Sequence, residues 1–472
     1  MQVPSTRSYA FLPYLLGVYM SFIPNDDPEI IEIMLSYLGI KDVRELYADV
    51  PDKILLNNPP EIGQPLKESD LDYLFKSITS SVPNIRLSFT GGGIADHYVP
   101  AIVDEIVSKQ EFYTAYTPYQ PEISQGLLQA IFEYQSLMAE LLDMDVVNAS
   151  LYDSGSALGE AARFSIRVTK RRRIIYVKNT NPERVSVLRT YISPLDVELV
   201  SVPYDEETGR VSLDSLEAQI NEETAMVYLE NPNFFGAIEE EVEEVAELVH
   251  DKGGLFVVGV EPISLGVIRP PGDYGADVVV GEGQSLGGHL NFGGPSLGIF
   301  ATKSVRKMIR QVPGRLIGMT RDLEGTRGYM MVLQSREQHI RQEEATSNIT
   351  TNSQLMALRA AVYLSLLGPD GLRDLGRKIL LNTEYLRRSI EGLNCFGVPF
   401  KSTFFRDLPI ISEGPSWKDV NLHLLKRGIA GGFVPATIYR EFSENMAILA
   451  TTERHSRKDI DELVDNLRGF CL

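Results

Sequence analysis

Residues 225–260 read AMVYLENPNFFGAIEEEVEEVAELVHDKGGLFVVGV. AMVYLE at 225–230 is a short apolar run with the character of a buried strand, and LFVVGV at 255–260 is another. Between them the acidic EEEVEEVAELVHDKG has helical character and stops at Gly253. The same alternation extends both ways. Upstream lie a helix in SALGEAARFSIRVTKRR, a strand in RIIYV at 173–177, a helix in NPERVSVLRTYI, a strand in VELVSVPY at 197–204 and a helix in DSLEAQI. Downstream, DVVVG at 277–281 and LGIFAT at 297–302 read as strands. Alternating buried strands and helices predict an α/β domain over residues 81–330, built on a mostly parallel sheet with helices on both faces.

The flanks read differently. Residues 1–80 are expected to form an N-terminal arm, helical and irregular from residue 22. Asp27 and Pro28 open one helix that ends near Gly39, and ESDLDYLFKSI at 68–78 predicts a second. After residue 330 the chain turns helical, with SQLMALRAAVYLSLLG ending at Gly368. From residue 371 helices mix with short strands such as MAILAT, so residues 331–472 are expected to form a smaller C-terminal α+β domain. The length of 472 residues supports this division, since a single core stops growing near ~250–300 residues.

Composition excludes several classes. Hydrophobic residues at 43% and charged residues at 23% exclude disordered, collagen-like and coiled-coil chains. A net charge of −19 argues against nucleic acid or a membrane surface as partner. No run of about 18 apolar residues predicts a membrane span. FLPYLLGVYMSF at 11–22 follows Arg7, but it lacks a small-residue cleavage site, and Pro13 disfavours a continuous helix. An arm packed on a neighbour, or a natural start at Met20, are the other readings of that segment. Cys395 and Cys471 form no CxxC pair, so neither a disulfide framework nor a zinc site is expected, and a reducing, cytoplasmic setting fits. The six histidines form no metal-ligand cluster. Glu239, Glu240, Glu241, Glu243 and Glu244 are expected at a solvated helix start. Lys170 to Arg173 read as a solvated helix end, or as a docking patch for an acidic partner.

Asp153-Ser154-Gly155-Ser156-Ala157 stands just before a helix, where small residues leave backbone N–H groups free for an anion; a plain cap is the simpler alternative. An α/β sheet binds ligands beyond the carboxyl ends of its strands. Two such ends carry Glu261 and Gln284. In pyridoxal-phosphate enzymes of the aminotransferase-like fold, the first position usually holds an Asp that pairs with the pyridinium nitrogen. The second holds the Lys that forms the aldimine. Glutamine has no nucleophilic amine, and no lysine lies between Lys252 and Lys303. The chain has the look of the cofactor fold without the cofactor bond. Gly91-Gly92-Gly93, and the glycine pairs 287–288 and 293–294 around Asn291, read as loops.

Residues 97–135, HYVPAIVDEIVSKQEFYTAYTPYQPEISQGLLQAIFEYQ, closely resemble the P-protein family of the glycine cleavage system, glycine dehydrogenase (decarboxylating). The likeness continues in DMDVVNASLYDSGSALGEAA at 143–162, PNFFG at 232–236, EPISLG at 261–266, GADVVVGEGQSLG at 275–287, FGGPSLGIFAT at 292–302 and REQHIRQEEATSNITTN at 336–352. SFIPNDDPEIIEIMLSYLGIKDVRELYADVP at 21–51 fits too, so the likeness covers nearly everything from residue 21 onward.

The resemblance implies a large domain of pyridoxal-phosphate fold type I. It implies a chain similar to the N-terminal half of the long form, that is, to a subunit without the aldimine lysine. Pyridoxal phosphate would then be held by a lysine-bearing subunit 2, in an α2β2 or αβ assembly. The substrate would be glycine, and the aminomethyl acceptor the lipoyl arm of the H-protein. No catalytic residue is expected in this chain alone. Ser154, Gly155, Ser156, Glu261 and Gln284 would be a vestigial cofactor pocket. The candidates for a partner's site or an interface are His97, Tyr98, Tyr113, Thr114, Tyr116, Thr117, Tyr119, Glu122, Ser124 and Gln125. Pro118 and Pro121 predict an ordered loop over Phe112 to Pro121, facing a neighbour's cleft or packing an interface. His97 read alone is a hydrogen-bonded structural residue. Asn348, Thr350 and Asn352 precede a long helix and either reach a partner's cofactor phosphate or cap that helix.

Overall fold

The computed structural model describes residues 25–56, 63 and 65–471. The segment at 11–22 lies outside the described residues. The chain divides into a unit ending at Val82 and a unit beginning at Pro83.

In the first unit, helix α1 (Pro28–Leu38) starts where predicted. The Asp27 side chain accepts the Glu29 N–H, Pro28 occupies the first turn, and Gly39 ends the helix with φ 70°. Helix α2 spans Glu68–Ser81.

The second unit opens with β1 (Leu87–Ser88) and helix α3 (Gln125–Leu142). A seven-stranded sheet follows, made of β2 (Val146–Val147), β3 (Arg173–Val177), β4 (Glu198–Val202), β5 (Thr224–Asn231), β6 (Leu255–Val260), β7 (Val278–Glu282) and β8 (Gly298–Thr302). Its order is β2-β8-β7-β6-β5-β3-β4. The five strands from β7 to β4 are parallel, while β8 and β2 run antiparallel at one edge. Strands β5 and β7 are buried along their whole length, as sheets covered on both faces require.

Helices α4 (Ser154–Thr169), α5 (Pro182–Ile192) and α6 (Val242–Asp251) supply cover. Helix α4 is buried on nearly every side because its residues are small. A Cβ at Gly159 would lie 2.4 Å from the Tyr191 ring, so only glycine lets α5 pack this closely. A hairpin of β9 (Leu316–Arg321) and β10 (Arg327–Val332) leads to the long helix α7 (Gln354–Glu391). The expected stop at Gly368 appears as a break, with φ 60° and ψ −178°, after which a second helical stretch resumes at Pro369. By length and composition α7 is the one helix among the described residues apolar enough to cross a membrane. It is also broken, and it buries Ala357, Ala360, Ala361 and Tyr363 in the main core.

C-terminal strands β11 (Phe396–Gly397), β12 (Asp407–Ser412) and β14 (Met446–Ala450) form an antiparallel sheet, and β13 (Ile429–Ala430) pairs with β1. Helices α8 (Trp417–Leu425) and α9 (Arg457–Arg468) pack there around Trp417.

Two expectations fail here. Cys395 and Cys471 are joined by a disulfide, with Cα atoms 5.4 Å apart across 76 residues of sequence. The absence of a CxxC pair was the wrong criterion, because the fold brings the end of α9 back to the start of β11. Glu239 is not solvated. It is 3% exposed and accepts hydrogen bonds from Asn179 Nδ2 (2.7 Å), Asn233 Nδ2 (2.8 Å) and the Val211 N–H (2.9 Å). Burial outweighs these donors and lifts its carboxyl to about 7. Helix α6 starts only at Val242, so the acids that lead into it divide between core and surface. The basic run ends α4 at Lys170, and its arginines serve their own chain. Arg171 donates to the carbonyls of Thr224 and Lys252, and Arg172 and Arg173 pair with Asp196 and Glu198.

Candidate functional site

The parallel strands point their carboxyl ends at a cleft of about 430 Å³ that continues into a smaller cavity of about 30 Å³. Four of the five predicted cofactor-pocket residues line it: Ser154, Gly155, Gln284 and Glu261. Ser156 does not; its N–H donates to the Asp153 carboxylate at 2.7 Å, one turn into α4.

Gln284 stands just past β7, 7% exposed. Its Nε2 donates to the Gly288 carbonyl at 2.6 Å, so the amide bridges a local turn instead of facing a ligand. Glu261 caps the turn after β6, accepting the Ser264 N–H at 3.0 Å and the Ser285 hydroxyl at 2.6 Å. Arg406 Nη1 lies 3.7 Å from the Glu261 carboxylate.

Several cleft residues were not among the expected site residues. Glu282 ends β7 with its carboxylate against the Ser154 N–H at 3.2 Å, and also accepts from the Gln284 and Leu297 N–H groups and the Ser296 hydroxyl. Burial raises its carboxyl while these donors pull it down. Arg184 pairs with Glu230 at 2.9 Å, and Glu230 also takes the Tyr228 hydroxyl at 3.0 Å. Burial disfavours the Arg184 charge, yet Glu230 beside it raises its pKa overall. Arg406 pairs with Asp407 at 2.8 Å and donates to the Gly93 carbonyl at 2.6 Å. The Gly91–Gly93 loop forms one wall. Gly92 has φ 100° and a Cβ there would meet the Phe433 ring at 2.6 Å; Gly93 has φ 128° and would press on Asn181. The available signal was position: Glu282 ends β7, two residues before Gln284, where a sheet of this kind binds its ligands.

Whether these residues suit pyridoxal phosphate is a question of chemistry. Among the described residues no lysine lines the cleft, so none there can form an aldimine. Its acids Asp153, Glu183, Glu230, Glu261, Glu282 and Asp407 outnumber its cations Arg184 and Arg406, both already paired. The N–H groups of Ser154 and Ser156 are taken by Glu282 and Asp153. The residues present do not fit the group.

The other predicted residues gather elsewhere; none from 97–125 or 346–352 lines the cleft. His97 is buried at 3% exposure, its Nδ1 2.9 Å from Glu453, and Glu453 also accepts the Tyr98 N–H. Phe112 and Tyr113 belong to a short helix, Gln110–Tyr113, where the Thr114 hydroxyl donates to the Gln110 carbonyl at 2.7 Å. Beyond it the chain runs as a loop to Ser124. Thr117 bonds Thr351 through their hydroxyls, and Arg315 reaches Thr351 at 3.1 Å and the Tyr119 hydroxyl at 3.3 Å. Arg315 also lies 5.4 Å from the Tyr119 ring centroid and forms a buried pair with Glu337. Gln125 bonds both the N–H and the carbonyl of Tyr329, like a strand partner. Ser124 precedes α3 without a side-chain capping bond. Tyr98, Tyr113, Tyr116 and Glu122 are exposed, as is Asn348.

The capping reading of the 346–352 loop fails. The residue before α7 is Ser353, which makes no side-chain capping bond. Asn352 instead exchanges hydrogen bonds with Ser150, and its Nδ2 also donates to the Thr350 carbonyl at 2.7 Å. Arg315 and Glu337, the hub of this cluster, were not among the predicted residues.

Comparison with known proteins places this geometry. The sequence model of the family described as glycine cleavage system P-protein matches residues 20–467. A relative from Staphylothermus marinus named "Probable glycine dehydrogenase (decarboxylating) subunit 1" is 46% identical over 94% of this chain and 97% of its own. A solved glycine decarboxylase (P-protein) of the glycine cleavage system, in inhibitor-bound form, aligns with TM-score 0.81 and 39% identity over 96% of this chain and 100% of that one. A sphingosine-1-phosphate lyase from Burkholderia pseudomallei shares the fold at TM-score 0.61 and 14% identity, over 88% of this chain and 92% of its own. The large domain therefore has the pyridoxal-phosphate fold type I, and the chain belongs to the glycine cleavage system P-protein family.

Proposed function

We propose that this chain is the lysine-free subunit of a glycine decarboxylase in the glycine cleavage system. Its partner is a lysine-bearing subunit 2 that holds the pyridoxal phosphate, and an α2β2 complex works in the cytoplasm. With that partner the enzyme releases carbon dioxide from glycine and passes the remaining aminomethyl group to the lipoyl arm of the H-protein. The observation that carries the reading is Gln284 at the end of the sheet, its amide committed to Gly288 in a cleft without a lysine.

This chain's own contribution is positional. Exposed Tyr113 and Tyr116 lead into a loop pinned through Thr117 and Tyr119, which suits phenols offered to a neighbouring site. In the reconstituted complex, Tyr113→Ala and Tyr116→Ala are expected to lower release of labelled carbon dioxide from glycine by about 10-fold or more, with co-purification of the partner retained. Unchanged turnover in an assembled complex would make the chain a scaffold with no residue at the site.

A further inference from the structure

At the start of α4 the misfit between this cleft and a phosphate is set by Glu282. Four donors from three segments converge on the Glu282 carboxylate. Oε2 takes the Ser154 N–H at the start of α4 (3.2 Å). Oε1 takes the Gln284 N–H beyond β7 (3.0 Å), and the Leu297 N–H (3.2 Å) and Ser296 hydroxyl ahead of β8. Glu282 is 7% exposed, and both it and Ser296 line the cleft. Such a convergence of backbone N–H groups with a helix start is the form in which proteins hold oxyanions.

We infer that Glu282 is the resident anion of this cleft: its carboxylate fills a built oxyanion nest and thereby closes the cleft to phosphate and phosphate esters. Two consequences follow from charge and geometry. A phosphate approaching Ser154 would meet a carboxylate already bonded there, and two anions at contact distance repel strongly in a buried site. Nearby Arg184 offers little relief, because its guanidinium is paired with Glu230. The nest is intact, however, and removing the carboxylate leaves its donors in place. This inference concerns the chain by itself and does not depend on the partner's chemistry.

The test is Glu282→Ala in the full-length chain, with Glu282→Gln as the variant that keeps the shape without the charge. Thermal unfolding is followed in sodium formate, in inorganic phosphate and in sodium chloride at matched ionic strength. Glu282→Ala is expected to gain about 2–4 °C in tens of millimolar formate or phosphate over chloride. The wild type and Glu282→Gln, whose nests are filled, are expected to show no such gain. A Glu282→Ala protein indifferent to both anions would overturn the inference, as would a wild type stabilised by phosphate to the same degree. Should Glu282→Ala not accumulate folded, its refolding yield from urea serves instead. Recovery that requires formate supports the nest, and equal yields in formate and chloride overturn it.

Discussion

Arg315→Ala is expected to cost roughly 3–5 kcal/mol of folding stability and to lower turnover of the assembled complex about 100-fold. The stability term comes from Glu337. Both side chains of this pair are 3% exposed, Arg315 holds Glu337 Oε2 while Oε1 has no hydrogen-bond partner among the described residues, and burial already raises the Glu337 carboxyl. Without the guanidinium the buried carboxylate loses its hydrogen-bonded cation and is left with the His339 ring, 3.8 Å away. The turnover term comes from the other donors of Arg315, which tie Tyr119 to Thr351 and so fix the 114–124 loop against the 345–353 loop. The two effects separate experimentally. In the double variant Arg315→Met with Glu337→Leu the pair is replaced by apolar groups of similar size, which recovers much of the stability. Turnover is expected to stay low, because Tyr119 and Thr351 remain untied. Urea midpoints and glycine decarboxylation rates for the single and double variants read both terms. Turnover that recovers together with stability would assign Arg315 a purely structural role.

Reduction of the Cys395–Cys471 disulfide is expected to lower stability by roughly 4 kcal/mol on the chain-entropy estimate for a loop of this size. The bond closes 76 residues that include β12, α8 and β14. Both cysteines pack on the cluster of Phe396, Trp417 and Leu467, so its opening loosens the hold of α9 on that cluster. Cys471→Ser should reproduce the drop in urea midpoint without reductant, and reductant should then add nothing. Equal midpoints for oxidised, reduced and Cys471→Ser protein would show that the packing of α9 suffices without the bond.

Much of the fold was legible in the residues. RIIYV and LFVVGV are strands over their full predicted lengths, and Asp27, Pro28 and Gly39 mark a helix by their own capping chemistry. Strands buried on both faces announce themselves as continuous apolar runs, and caps are local. The disulfide was not legible, because its partners meet through tertiary structure. Glu239 looked solvated because it adjoins a run of acids, and nothing local reveals three donors converging on it. The candidate site divided the same way. Gln284 and Glu261 were visible at strand ends, whereas Glu282, Arg184 and Arg406 matter through pairings between distant segments. The Tyr113–Gln125 block and the 346–352 loop were each marked as candidates, but Arg315, which joins them, stands in a stretch without a motif.

The most direct test of the lysine-free reading is borohydride reduction of this chain together with its partner and pyridoxal phosphate, followed by mass spectrometry of both polypeptides. The expected result is one stoichiometric pyridoxyl adduct on a lysine of the partner and only sporadic surface labelling here. A stoichiometric adduct on one buried lysine of this chain would contradict it and make the chain a pyridoxal enzyme in its own right.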